Sequence, residues 1–534
     1  MPDAPRAARA RVGGERGREQ GTRGRVSGGR RPRAWGWGEE GRARACARAC
    51  ARAAAAAAMA PAIVEAALAF AGLEMGDVHV YVEVLLVVLI VYLLAQRSYG
   101  KGSRAQKLSA KEMDALVAEW EPEPLVSAED EERDADLPHE PVLSEFEGVR
   151  CVADGKECTN FAAFNFLGLG GDERSVEVSK ETVDKYGVGS CGPRGFYGTI
   201  DVHIDLETRL RDFSGAEEAI LYAYDMAAPA SVIPTFAKKG DLLVCDEQVN
   251  WALQNGAVLS RSEVHYYKHN DMADLEALLA KLNARDKGKP INRRFICCEG
   301  IYAKTGKMVP LDRVVELKRK YKFRCILDDS NSLGVLGHKG RGTAEHFGIP
   351  ITDIDIVNVN LGNALGSIGA MVLGSHKVID HQRLNGAGYV FSASLPPFLA
   401  SAAIAAIERL DEEPQLVERL QLNITDFLAA LSAEAGGSIA VESCEQSAIV
   451  VMRLAAADGS DLAGEEAAVR RAAELCLEQG VLVTTWRGTK LDRMPTRPAL
   501  RACVSAAHSP EQVKSAARAI ASAYTRAARE VSLF

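Results

Sequence analysis

The sequence predicts an α/β protein with a large domain on a mostly parallel sheet, a smaller C-terminal α+β domain and one N-terminal transmembrane helix. Three observations carry this expectation. Short β-rich runs alternate with helical stretches through the middle of the chain, the pattern of strands joined by helical crossovers. From about residue 410 onward, helices flank only two strand-like runs. Near the start, an almost wholly apolar run stands ahead of an acidic, proline-containing stretch. The 534 residues suffice for two or three cores, and 47% hydrophobic with 25% charged residues is a globular balance.

Residues 1–58 contain fourteen Arg, no Lys and five acids, about +9 in a chain of net charge -8. Their Arg, Gly and Ala are in low-complexity order and lack the apolar content to bury a core, so disorder is expected. A transit peptide and an upstream extension ahead of Met59 both fit this composition. Residues 59–77 form a pre-membrane segment. Residues 78–96 are the expected transmembrane helix, centred on Val84-Leu-Leu-Val-Val-Leu-Ile-Val-Tyr-Leu-Leu-Ala95. The eighteen apolar-rich residues Val78–Ala95 at ~1.5 Å each give roughly 27 Å, enough for a thin bilayer such as that of the endoplasmic reticulum. Tyr81, Tyr92 and Tyr99 sit where an aromatic belt would. Arg97, Lys101, Arg104 and Lys107 follow, which by the positive-inside rule makes a single-pass protein with its bulk in the cytosol.

Residues 97–140 read as a linker, acidic from Glu129 to Asp136 and carrying Glu121-Pro-Glu-Pro124. The large domain is expected over 141–410. Its strands are predicted at Ala219–Tyr224, Asp241–Cys245, Arg294–Glu299, Phe323–Asp328, Ile354–Val359 and Ala370–Gly374, with helical apolar spacing over Leu311–Tyr321. Residues 411–534 form the small domain, with strands expected at Ala448–Leu454 and Ala502–Ala506. The overall negative charge leaves no nucleic-acid footprint. Twelve Cys with no repeating spacing and no CxxC pair argue against a metal site and for reduced intracellular thiols.

Four blocks stand out in the large domain. Gly187-Val-Gly-Ser-Cys-Gly-Pro-Arg-Gly-Phe-Tyr-Gly-Thr199 is glycine-dense and is followed by His203 and Glu207. Then come Asp328-Asp-Ser-Asn-Ser-Leu-Gly-Val-Leu-Gly337, Asn363-Ala-Leu-Gly-Ser-Ile-Gly-Ala370 and Phe391-Ser-Ala-Ser-Leu-Pro-Pro397. A glycine-rich loop alone is weak evidence, since glycines also serve ordinary turns. In this order and spacing the blocks resemble the α-oxoamine synthase family, whose members are fold-type I, aminotransferase-like, pyridoxal-phosphate proteins that join an amino acid to an acyl-CoA. Further stretches narrow the likeness. Glu121–Val126, Asn160–Gly168, Lys268–Leu275 and Asp380–Leu384 are similar to the branch of lysine-lacking long-chain-base subunits of serine palmitoyltransferase.

The resemblance implies a site that has lost its chemistry. A pyridoxal-phosphate enzyme needs a lysine to hold the cofactor as a Schiff base. Asn363 stands at that position, and an amide neither forms an imine nor acts as a base. Asn250 and Asn331 stand where the family has histidines, while Asp328, the partner of the pyridine nitrogen, is retained as a vestige. Asp225-Met226 replaces a glycine-led phosphate cradle, and a carboxylate there repels phosphate by about 1 kcal/mol at 4 Å in water. This chain therefore contributes no catalytic group and no metal ligand.

Family dimers build their active sites at the subunit interface. The resemblance therefore implies a heterodimer whose partner holds pyridoxal phosphate covalently and condenses L-serine with palmitoyl-CoA to 3-ketosphinganine. Small activating and regulatory membrane subunits and the lipid bilayer are further expected partners. Ser392 and Ser394 match residues that reach the opposite subunit's cofactor phosphate. Gly189, Cys191, Arg194, Tyr197 and Gly198 form the expected interface loop, with Cys191 as a small buried side chain in a crowded turn. Arg501 lies near the family's carboxylate-reading arginine, where a structural role is an equal reading. Two alternatives stay open: a non-enzymatic membrane scaffold, and a self-sufficient synthase, against which Asn363 argues directly.

Overall fold

The computed structural model describes residues 78–95, 109–122, 124–126, 140–288, 292–455, 457, 459–486, 488, 492 and 497–531. The segments 1–58 and 59–77, the basic cluster Arg97–Lys107 and the acidic stretch Glu129–Asp136 lie outside the described residues. The chain divides into two units, residues 1–135 and 136–534.

In the first unit, helix α1 spans Val78–Ala95 and coincides with the apolar run. Its eighteen residues amount to roughly 27 Å, and it carries Glu83. Among the described residues no helix is long and apolar enough to cross a membrane. Helix α2, Ala110–Glu119, starts at a capping box: the Ser109 hydroxyl accepts the Glu112 N–H and Glu112 accepts the Ser109 N–H.

The second unit is built on a seven-stranded sheet of order β4-β10-β9-β8-β7-β5-β6. Its strands are β4 Glu218–Tyr222, β5 Leu242–Asp246, β6 Glu263–Tyr267, β7 Arg294–Glu299, β8 Arg324–Asp328, β9 Ile356–Asn360 and β10 Ala370–Gly374. β9, β8, β7, β5 and β6 pair in parallel, whereas β10 runs antiparallel to both β9 and β4. The sheet is thus mostly parallel, as the sequence predicts. β5 is buried along its whole length, which fits a strand covered on both faces. β6 has no counterpart among the expected strands. It is a half-exposed edge strand reading Glu-Val-His-Tyr-Tyr, so its sequence shows no continuous apolar run. The helices that concern the site are α3 Glu173–Tyr186, α4 Asp201–Ser214, α5 Ala227–Phe236, α6 Trp251–Ser260 and α7 Pro397–Glu412.

Two further sheets complete this unit. One is antiparallel, β11-β12-β15-β14, with β11 Ile439–Val441, β12 Ile449–Leu454, β14 Thr484–Trp486 and β15 Ala499–Cys503. β15 begins three residues before the expected Ala502–Ala506, because Leu500 and Ala499 pair across the sheet while Val504 and Ala506 leave it to bond Ala448 and Phe166. The other sheet joins the hairpin strands β1 Leu143–Glu147, β2 Arg150–Ala153 and β3 Lys156–Asn160 to β13 Val481–Leu482. Residues 143–160, expected with the large domain, therefore pair with a strand from the C-terminal part of the chain.

His508 locks this junction. It is buried, its Nδ1 accepts the Ser505 N–H at 3.0 Å, and its Nε2 lies 3.1 Å from the Asn160 carbonyl. Its ring stacks on Phe161 at 3.9 Å. Burial pushes its pKa down to about 4. An unfolded histidine titrates near 6.5, so between pH 6.5 and 4 the unfolded chain takes up a proton that the folded chain refuses. Stability from this group is complete above pH 6.5 and falls on acidification, by roughly 3 kcal/mol in total. His508→Gln should be less stable than wild type at pH 7.5 yet lose less on going to pH 4.5. Parallel pH slopes for the two proteins in urea unfolding would contradict this.

Candidate functional site

The parallel strands deliver a row of polar side chains at their C-terminal ends, where open α/β sheets bind ligands. Asp246 closes β5, Glu299 closes β7, Asp328 closes β8, and Asn358 and Asn360 lie on β9. Asp328 is buried, and both of its oxygens accept hydrogen bonds. Oδ2 accepts the Asn250 amide at 2.8 Å, while Oδ1 accepts the Asn358 amide at 3.1 Å and both the N–H and hydroxyl of Ser330. Asn250 is the N-cap of α6, its Oδ1 accepting the Leu253 N–H at 3.0 Å, and its own N–H donates to Glu299 at 2.6 Å. Glu299 is buried without a cation among the described residues. Burial first, and the charge of Asp328 second, push its pKa up to about 8.

Asn363 lies in the same network. Its amide donates to Asn331 Oδ1 at 2.9 Å and to the Ser330 carbonyl at 3.2 Å, and the Asn331 amide donates to the Ile301 carbonyl at 3.1 Å. The structure thus brings Asn250, Asp328, Asn331 and Asn363 together through Ser330. Beside α5, Asp225 accepts the Asn360 amide at 2.8 Å, and the helix cap at Met226 has no side-chain bond. Glu299, Asn358 and Ser330 were not singled out by the sequence. Their signal is positional, on the strands or just beyond their ends, and becomes legible only once the sheet order is known.

Pyridoxal phosphate does not fit these residues. No amine is present at Asn363 for a Schiff base, and the Asp328 carboxylate, which the resemblance assigns to a pyridine nitrogen, already accepts from two amides and a hydroxyl. The helix end suited to a phosphate has the Asp225 carboxylate directly before it.

The interface loop shows a different organisation. Ser394 donates its N–H and its hydroxyl to the Gly192 carbonyl, at 2.9 and 3.0 Å, and Ser190 donates to the Ser394 carbonyl at 2.9 Å. Loop and Phe391–Pro397 block are therefore stitched together within one chain. Ser392 donates to the Gly388 carbonyl. Cys191 is exposed with φ +58°, so the expected small buried thiol is not found; the backbone turns it outward. Tyr197 is also outward and fully exposed, with φ +65°. Gly189 has open space around it, whereas Gly198 abuts Gly192 and Ser394.

Arg194 points inward. It holds Glu207 in a two-pronged ion pair at 2.8 and 3.0 Å, bonds Thr199 and lies over the Tyr389 ring. Both side chains of the pair are nearly buried, and Glu207 also accepts the Leu221 N–H. Within this chain Arg194 shapes the loop and offers no free guanidinium to a partner. Removing one member of a buried pair costs about 3–5 kcal/mol. Arg194→Ala should therefore lower the unfolding midpoint sharply; a shift equal to that of an exposed arginine such as Arg518→Ala would contradict the assignment. Arg501 stacks on Phe164 at 4.5 Å and bonds Thr484, a packed setting consistent with a structural role.

The sheet of this order, with Asn363 in its strand-end network, is the large domain of an aminotransferase-type protein. Residues 156–520 match the model of the aminotransferase class I and II family. Long chain base biosynthesis protein 1b of Oryza sativa is 45% identical over 437 residues, 82% of this chain and 89% of that protein. Long chain base biosynthesis protein 1 of Arabidopsis thaliana is 44% identical, covering 83% and 90%. Serine palmitoyltransferase 1 of Dictyostelium discoideum is 37% identical, covering 82% and 91%. Among solved structures, the S. paucimobilis serine palmitoyltransferase with a bound PLP–myriocin aldimine superposes with a TM-score of 0.67 at 25% identity, over 79% of this chain and 99% of that one. The chain belongs to the aminotransferase class I and II family and, within it, to the group of long chain base biosynthesis protein 1 and serine palmitoyltransferase 1.

Proposed function

We propose that this chain is the lysine-lacking subunit of serine palmitoyltransferase, the acyltransferase that opens sphingolipid long-chain-base synthesis. The observation that carries the reading is the closed amide network around Asp328, which removes cofactor chemistry from this pocket, set beside a loop that turns Cys191 and Tyr197 outward. In the assembled enzyme a partner subunit supplies the lysine and holds pyridoxal phosphate. L-Serine and palmitoyl-CoA condense there to 3-ketosphinganine, releasing CO2 and CoA. This chain stabilises the partner and completes its active site with the Gly187–Thr199 loop and the Phe391–Pro397 block. The names of the relatives support the same activity.

The further parts of the reading rest on sequence. The run 78–96 anchors the chain in the endoplasmic reticulum membrane as a single span, and the basic residues Arg97–Lys107 keep the large domain cytosolic. Small activating and regulatory membrane subunits bind the heterodimer. The test is to purify the chain alone and with a lysine-bearing partner, then assay product and cofactor absorbance. The expected result is product and absorbance only for the pair. Product from the chain alone would favour a self-sufficient synthase, and a pair no more active than the partner alone would favour a scaffold.

A further inference from the structure

His203 is fully buried at the first turn of α4, immediately after the interface loop. Its Nδ1 faces the Ile200 N–H at 3.1 Å, and its Nε2 faces the Leu395 carbonyl at 2.7 Å. An amide N–H can only donate and a carbonyl can only accept, so Nδ1 is bare and Nε2 carries the proton. The ring is therefore a neutral bridge of fixed tautomer. One end holds the chain just past Thr199; the other holds Leu395, between Ser394 and Pro396.

The remaining hydrogen bonds between loop and block involve Ser190 and Gly192, in the first half of the loop. His203 supplies the tie at the far end. Without it no hydrogen bond would join the second half of the loop to the block, leaving only the packing of Gly198 against Ser394.

We infer that His203 is a positioning residue for the reaction at the partner's active site, welding the loop and the Phe391–Pro397 block into one rigid clamp. The inference rests on the function proposed above. His203 touches no reacting atom and acts through Gly198, Tyr197 and Ser394. Its surroundings favour the neutral ring. Arg194 faces it from the loop, Asp201 and Glu207 from α4, and Phe391–Pro397 contains no titratable side chain. Burial, the largest influence, lowers its proton affinity.

Two substitutions separate the ends of the bridge. His203→Gln places an amide N–H near the Nε2 position and preserves the tie to Leu395. His203→Asn places an acceptor near the Nδ1 position, preserving the tie to Ile200 and losing the one to Leu395. Each variant is purified as the complete complex, and kcat and KM are measured with L-serine and with L-alanine. The expected result for His203→Asn is normal 1:1 pairing, a serine kcat lower by on the order of tenfold, and a smaller preference for serine over alanine. His203→Gln should stay within about threefold of wild type by the same reasoning. Equal kcat for the two variants, or loss of pairing in both, would overturn the inference, since His203 would then serve the fold alone. Failure of the functional reading shows separately, as a wild-type complex no more active than the partner by itself.

Discussion

Replacing Asn363 with lysine is expected not to restore cofactor binding to this chain. Lysine adds the missing amine but leaves the pocket built against it. The Asn363 amide now donates to Asn331 and to the Ser330 carbonyl, and both acceptors would then face an ammonium. The Asp328 carboxylate lies in the same buried network, and a nearby anion holds a lysine in its charged, non-nucleophilic form. Asp328 would still be capped by Asn250, Asn358 and Ser330, and Asp225 would still precede the α5 helix end. The expected outcome for Asn363→Lys is no imine absorbance and no borohydride-stable label on this chain. The fivefold variant that also carries Asn250→His, Asn331→His, Asp225→Gly and Met226→Phe should be the first to show either. Full labelling of the single variant would mean that the amide network is no barrier.

Gly198→Ala should produce the largest loss of activity in the assembled enzyme. A Cβ at Gly198 would stand 1.9 Å from the Gly192 carbonyl oxygen, 2.5 Å from its carbon and 2.6 Å from the Ser394 hydroxyl. Two of these atoms are backbone, so no side-chain rotation relieves the contact. The loop must part from the Phe391–Pro397 block, at an overpacking cost of about 1–3 kcal/mol. A displacement of ~1 Å near a reacting centre lowers the rate by about a hundredfold. The partner's lysine and cofactor are untouched, so cofactor absorbance should remain while turnover falls by about that factor. Wild-type turnover at matched stoichiometry would show that this loop does not shape the partner's site. The contrast is Gly189→Ala, where the space is open and little change is expected.

The fold was legible where apolar runs are continuous. The strand Arg294–Glu299 and the helix Leu311–Tyr321 lie where the sequence places them. Edge elements were not legible: β6 reads Glu-Val-His-Tyr-Tyr with no continuous apolar run, and β1–β3 form a hairpin whose partner, β13, is more than three hundred residues away. The amides at Asn250, Asn331 and Asn363 could be read as departures from the family the sequence resembles, and at Asn363 an amide excludes an imine whatever surrounds it. How those amides are reused could not. Their bonds to Asp328, Ser330 and one another depend on strand ends brought together by the sheet order. The loop shows the same division. Its glycines were visible, yet the inward turn of Arg194 depends on Glu207 and Tyr389, and the outward turn of Cys191 on a positive φ that no spacing pattern encodes.

The claim that this chain completes a site without holding its cofactor is tested most directly by reducing the intact, active complex with borohydride and mapping the labelled peptides. The account predicts one pyridoxyl group per heterodimer, on the partner's lysine, and none on any lysine of this chain, including the buried Lys304 that is paired with Asp492. A stoichiometric label on this chain would contradict it.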